Sequence, residues 1–261
     1  MTYLALQFLH GSPVGTDTAR LETLAALVSD PRWGVKFKLL SVGHVPGRPP
    51  EPLMRGPVAA KDLAEKARTA FLAPNIQTVL FTVSKNEVSD TAVYYVHTGR
   101  FAERADPSWG NTRWLAHGDA AAWISLQHEI VAAAGAEHAV IAAAESSDVA
   151  SVEVWLSNRF DNGVSIHPDP GEIDRYARVR PQLGDKYLRA PRWGTYLSPR
   201  HLDAIGGRAK VVAEVQPATV REVGRLTYFQ LTERIEDARS PAAEAKRAKF
   251  EALVAPLLPP A

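Results

Sequence analysis

The chain of 261 residues contains no cysteine. That excludes disulfides, thiolate nucleophiles, and cysteine-ligated zinc or iron–sulfur centres. Charge of one sign is also missing: 30 Lys and Arg face 29 Asp and Glu, for a net charge of +1. No global field therefore draws in nucleic acid or an anionic membrane. No apolar run approaches the ~20 residues of a membrane span. The apolar start, Tyr3–Leu9, lacks the basic flank and the length of a signal peptide, so a cytoplasmic protein is expected.

Catalytic motifs are absent too. His128-Glu129 opens like a zinc-protease helix, but position 132 is Ala, so no second histidine stands one turn on. Eight histidines are present, yet His97, His117 and His138 have no carboxylate at ligand spacing, and no metal or cofactor is expected. Glu145-Ser146-Ser147-Asp148 lies between a strand and a helix, where a nucleophile elbow would sit. The glycines that turn requires are lacking, and Ser147 reads as a helix cap. Gly206-Gly207 precedes Arg208 with no phosphate-loop pattern and reads as a helix stop.

What is present is an ordinary globular composition, 46% hydrophobic and 23% charged. Tyr3–Leu9 reads as a first, central strand. A helix is predicted from Asp17 to Ser29 with Leu21, Leu24, Ala25 and Val28 inward, ended by Asp30-Pro31. Alternation suggests a strand over Val35–Ser41, and five prolines make Gly43–Pro57 a surface loop. A helix over Val58–Leu72 precedes a hairpin of Ile76–Val83 and Ala92–His97. Thr98–Gly118 reads as irregular, followed by a helix from the cap Asp119 to Ala134 and a buried strand His138–Ala144.

Beyond a helix at Asp148–Leu156, residues 158–189 are poorly periodic, with a short helix near Glu172–Ala177. Then come strand Trp193–Leu197, helix Pro199–Ile205, strands Lys210–Val215 and Arg225–Thr232, and a last helix Pro241–Val254. The expected class is α+β (mixed α/β), with a partly antiparallel mixed sheet flanked by helices. The chain forms either one domain over 1–261 or two lobes, 1–157 and 190–261, joined by segment 158–189. Pro191-Arg192-Trp193-Gly194 echoes Pro31-Arg32-Trp33-Gly34, an echo better attributed to chance than to duplication.

Two groups are candidate partner-binding residues. Arg104, Trp109, Arg113 and Trp114 mix aromatic and cationic side chains, a combination that serves core packing, a protein interface or single-strand nucleic-acid binding. Asp161, Asp169, Glu172 and Asp174 concentrate acid in the irregular segment, as either a solvated loop or a phosphate-like surface. Trp193, Thr195 and Tyr196 are expected in the core.

The run Trp193-Gly194-Thr195-Tyr196-Leu197-Ser198, the helix ending at Gly206-Gly207, the block Val223–Glu233 and the Ser240-Pro241 helix with Ala245, Lys249, Phe250 and Leu253 resemble the closing region of the immunity protein 52 family and related type VI immunity proteins. The resemblance covers about the last 70 residues. It implies a cytoplasmic, non-enzymatic protein that neutralises a cognate toxin, often a nuclease, by direct contact, with no direct role for nucleic acid or membrane. Homodimerisation is a further expectation. Two other classes stay open: a divergent enzyme with a histidine–carboxylate site, and a structural or adaptor subunit of a secretion apparatus.

Overall fold

The computed structural model describes residues 3–9, 17–27, 30–33, 39–43, 51–55, 60–72, 78–82, 91–96, 109–113, 119–144, 175–176, 178–179 and 182–260. Among the described residues ten strands form one sheet: β1 (Tyr3–Leu9), β2 (Leu39–Gly43), β3 (Glu51–Arg55), β4 (Thr78–Thr82), β5 (Thr91–Val96), β6 (Trp109–Arg113), β7 (His138–Ala144), β8 (Gly194–Leu197), β9 (Thr219–Val223) and β10 (Leu226–Gln230). Their order is β3-β2-β4-β5-β6-β1-β7-β8-β10-β9, so β1 is central as its apolar sequence requires. The fold is α+β, and the sheet is antiparallel at every pairing rather than only partly so.

Helices α1 (Thr18–Leu27), α2 (Ala60–Leu72) and α3 (Ala120–Ala134) pack on the face that carries Leu4, Leu6 and Phe8. Asp17 accepts from the Arg20 amide at the start of α1, and Leu21, Leu24 and Ala25 are its buried stripe. Leu63, Ala67 and Ala70 do the same for α2, at spacings of four and three. Asp119 caps α3 by accepting from Ala121 N, and Gly135 closes it in the left-handed region. Trp123, Leu126, Ile130 and Val131 are buried as the periodicity predicts.

The C-terminal third adds α4 (Pro199–Ala204), α5 (Arg208–Val215) and α6 (Pro241–Val254). Ser240 accepts from Ala243 N, and Pro241 occupies the first turn, so α6 starts where the sequence places it. The Phe250 ring meets Phe229 of β10 edge-to-face at 5.6 Å, which seats α6 on the face opposite α3. A smaller apolar cluster of Leu9, Tyr176, Val179 and Leu183 covers that opposite face near β1. No helix among the described residues is long and apolar enough to cross a membrane.

Three expectations need correction, and one strand has no counterpart among them. The segment Gly43–Pro57 is not all loop: it contains β3, with Pro52 and a register shift opposite Leu40/Ser41. An edge strand tolerates proline because its outer side makes no ladder bonds. Thr98–Gly118 contains β6, whose Gly110 and Asn111 carry little strand propensity but are paired by β5 and β1 on both sides.

Lys210–Val215 belongs to a helix, α5, not a strand. Val211 and Val215 are buried four residues apart while Lys210, Val212, Ala213 and Glu214 are exposed, so the helical period outweighs the β-branched composition. The strand without a counterpart is β9, which pairs with β10 through a two-residue turn. Gly224 there has φ +57° while Arg225 is not left-handed, the pattern of a type II′ hairpin.

The predicted helix Asp148–Leu156 and the Glu145–Asp148 turn lie outside the described residues, as does most of Glu172–Ala177, of which Arg175 and Tyr176 are helical. The tryptophan echo has no common geometry. Pro31–Trp33 is a 3-10 turn, whereas Pro191–Trp193 is irregular chain leading into β8.

Candidate functional site: the β8 seam

β8 is four residues long, and within the sheet it links β7 to the C-terminal hairpin. Three buried histidines converge on it from three elements. From α3, His128 Nδ1 shares a hydrogen bond with the Tyr196 hydroxyl at 2.9 Å. From β7, His138 Nδ1 donates to the Tyr196 carbonyl at 2.7 Å. From α4, His201 Nδ1 lies 2.8 Å from Ser198 Oγ, directly after β8. The Ser198 hydroxyl makes no backbone cap, because the imidazole engages it instead.

Aromatic packing completes the cluster on the α3 face. Tyr196 and Tyr228 rings are 4.6 Å apart, and His128 meets Tyr228 edge-on at 4.7 Å. The Tyr228 hydroxyl donates to Gln230 Oε1 at 2.9 Å. Trp193 Nε1 donates to Thr232 Oγ1 at 2.8 Å, and its ring is buried. Trp193, Thr195 and Tyr196 are all core residues, as expected from sequence.

Burial sets the electrostatics. It lowers the His128 pKa to about 4, aided by the nearby charge of Arg221. Burial likewise lowers His138 to about 3, helped by His201 and Arg189 and opposed by the backbone carbonyls of Tyr196 and Arg189. His201 is lowered by burial and by Arg200, against the Asp185 carbonyl, Glu137 and Asp185. Burial raises both tyrosines. All three imidazoles are therefore neutral near pH 7.

Ser198 and His201 form a hydroxyl–imidazole pair, but His201 Nε2 lies 3.4 Å from the Asp185 carbonyl oxygen, not its carboxylate. Both side chains are buried. The arrangement suits the positioning of β8, and no group of three metal-ligating side chains occurs among the described residues. Above it, Glu137 pairs with Arg200 and Arg225, and Arg225 also donates to the Gly135 carbonyl. This ties the α3–β7 turn to α4 and to the β9–β10 turn.

Arg104, Trp114, Asp161, Asp169, Glu172 and Asp174 lie outside the described residues. Trp109 and Arg113 are on β6, at the register positions of Leu9 and Ala5. Spacing along the sequence gives no sign that His128, His138 and His201 meet at β8. The available signal was a hydrogen-bonding residue within β8, Tyr196, and a second one, Ser198, directly after it.

No model of a known protein family matches the chain, and no curated protein matches it. Among solved structures the chain is similar to the Pseudomonas aeruginosa T6SS protein PA0821. The TM-score is 0.60 with 12% identity, over 99% of this chain and 73% of that one. At that identity the likeness is one of fold.

Proposed function

We propose that the chain is a non-enzymatic immunity protein of a bacterial toxin system, which binds a cognate effector and neutralises it by direct occlusion. The observation that carries this reading is the fold shared, over 99% of this chain, with a Pseudomonas aeruginosa type VI secretion system protein. The immunity-type resemblance adds to it. The residues that carry it fall on β8, α4, β10 and α6, which pack into one core with Tyr196, Tyr228, Phe229 and Phe250. The neutral, buried histidines support it too, since each holds β8 rather than facing solvent.

Genes for such inhibitors stand beside those of their targets, which defines the experiment. The chain is co-expressed with the product of the adjacent reading frame and the mixture is sized by light scattering. A one-to-one complex that protects cells from that product is the expected result. No complex, or turnover of a small substrate abolished by loss of one histidine, overturns the reading.

A further inference from the structure

The two ends of the sheet are built differently. At one end, β3 carries Pro52 and a register shift, both of which prevent another strand from adding. At the other end, β9 is regular over Thr219–Val223, with neither proline nor glycine. Its register with β10 closes on Val223 and Leu226 around a two-residue turn. Thr219, Arg221 and Val223 therefore direct their backbone groups toward β10, and Val220 and Glu222 direct theirs outward. Among the described residues no strand pairs with that outer side.

Charge marks the same strand. Arg200, Arg208, Arg225, Arg234, Arg239 and Arg247 each pair with a carboxylate. Arg221, exposed at the centre of β9, makes no ion pair among the described residues. It is the register partner of Tyr228, so it stands on the α3 face. Its neighbour Glu222 is on the opposite face and is already engaged by Arg208 and Thr227. The open edge thus presents one unmatched cation.

We infer that β9 is a docking edge for an extended segment of a partner protein, which adds as an eleventh strand and sets a carboxylate beside Arg221. The inference rests on the inhibitor reading and names the surface through which it acts. Backbone bonds to Val220 and Glu222 supply the attachment, and the carboxylate supplies the choice of partner. A second copy of this chain fits poorly. A two-fold axis through the strand centre sets Arg221 against Arg221, and an axis at Glu222 sets carboxylate against carboxylate. An axis at Val220 sets Arg221 beside Thr219 and leaves the cation unmatched.

The test uses the full chain and the product of the adjacent reading frame, titrated by calorimetry. Arg221→Glu is expected to weaken binding about tenfold or more, while Arg221→Lys stays within about threefold of the parent. Val220→Pro removes an outward N–H without touching the β10 ladder and is expected to weaken binding as well. Should Val220→Pro fail to fold, amide exchange of the unmodified protein answers the same question, with slowed exchange at Val220 and Glu222 in the complex. Parent-like affinity of Arg221→Glu together with unchanged exchange at those amides overturns the docking edge and leaves the inhibitor reading intact. Absence of any complex with the unmodified chain overturns the inhibitor reading itself. Self-association that Arg221→Glu abolishes assigns the edge to a second copy and overturns the proposed occupant.

Discussion

His138 Nδ1 donates to the main-chain carbonyl of Tyr196 at 2.7 Å, so a side chain of β7 reinforces the backbone ladder that joins β7 to β8. A carbonyl can only accept, which fixes the proton on Nδ1. The ring is fully buried, so this bond forms in a low-dielectric setting where losing it costs more than at a surface.

The pH dependence of stability follows from these rings. The folded-state pKa values of His128 and His138, about 4 and about 3, lie below the ordinary 6.5. The unfolded chain binds the protons first, so the stabilisation is complete above pH 6.5 and is lost as pH falls toward 4 and 3. Urea unfolding between pH 7.5 and 5 should lose stability at about 1.4 kcal/mol per pH unit for each such histidine below 6.5. His138→Asn should flatten that slope. The carboxylates of Asp30 and Glu129, held low by Arg32, add a separate loss only as pH falls through and below the carboxylate range.

Tyr196→Phe removes the hydroxyl partner of His128 and leaves a buried ring nitrogen unmatched. A loss of about 1–2 kcal/mol is expected, measured as a shifted urea midpoint with unchanged slope.

Gly194→Ala tests how closely β8 is packed. An added methyl would sit 2.8 Å from the Tyr228 ring and hydroxyl and 3.2 Å from Ile141 Cβ, within the core. Destabilisation of about 1–3 kcal/mol is expected by thermal melting. A neutral result would mean that the Tyr196–Tyr228 pair can shift.

Phe250→Ala should cost about 3–5 kcal/mol, because the ring is fully buried against Phe229 and seats α6 on the sheet. Glu251→Gln, on the same helix, breaks a 3.5 Å pair with Arg247 that is partly solvated. That change should stay within about 0.5 kcal/mol, which separates packing from charge as the source of α6 stability.

Much of this fold was legible where local chemistry and burial agree. Asp119 and Gly135 bound α3, Ser240 and Pro241 start α6, and the run Tyr3–Leu9 is a central strand. The errors arose where tertiary pairing overrides propensity. Gly110 and Asn111 become strand because β1 and β5 flank them, and Pro52 becomes strand because its outer side needs no partner. In α5, adjacent valines resembled a strand until the burial of Val211 and Val215 revealed the helical period. The seam was invisible because it joins residues 128, 138, 196 and 201 through space. Spacing along the chain carries no trace of such a convergence.

The brevity of β8 makes it a keystone. Four residues splice a six-strand array plus β7 to the terminal hairpin, so damage there divides the molecule more effectively than damage at either rim. Loosening Gly194–Leu197 would bare the raw flank of β7, an all-buried run of alanine, valine and isoleucine headed by His138, as a template for aggregation. The longevity of the whole sheet is thus set by its shortest member.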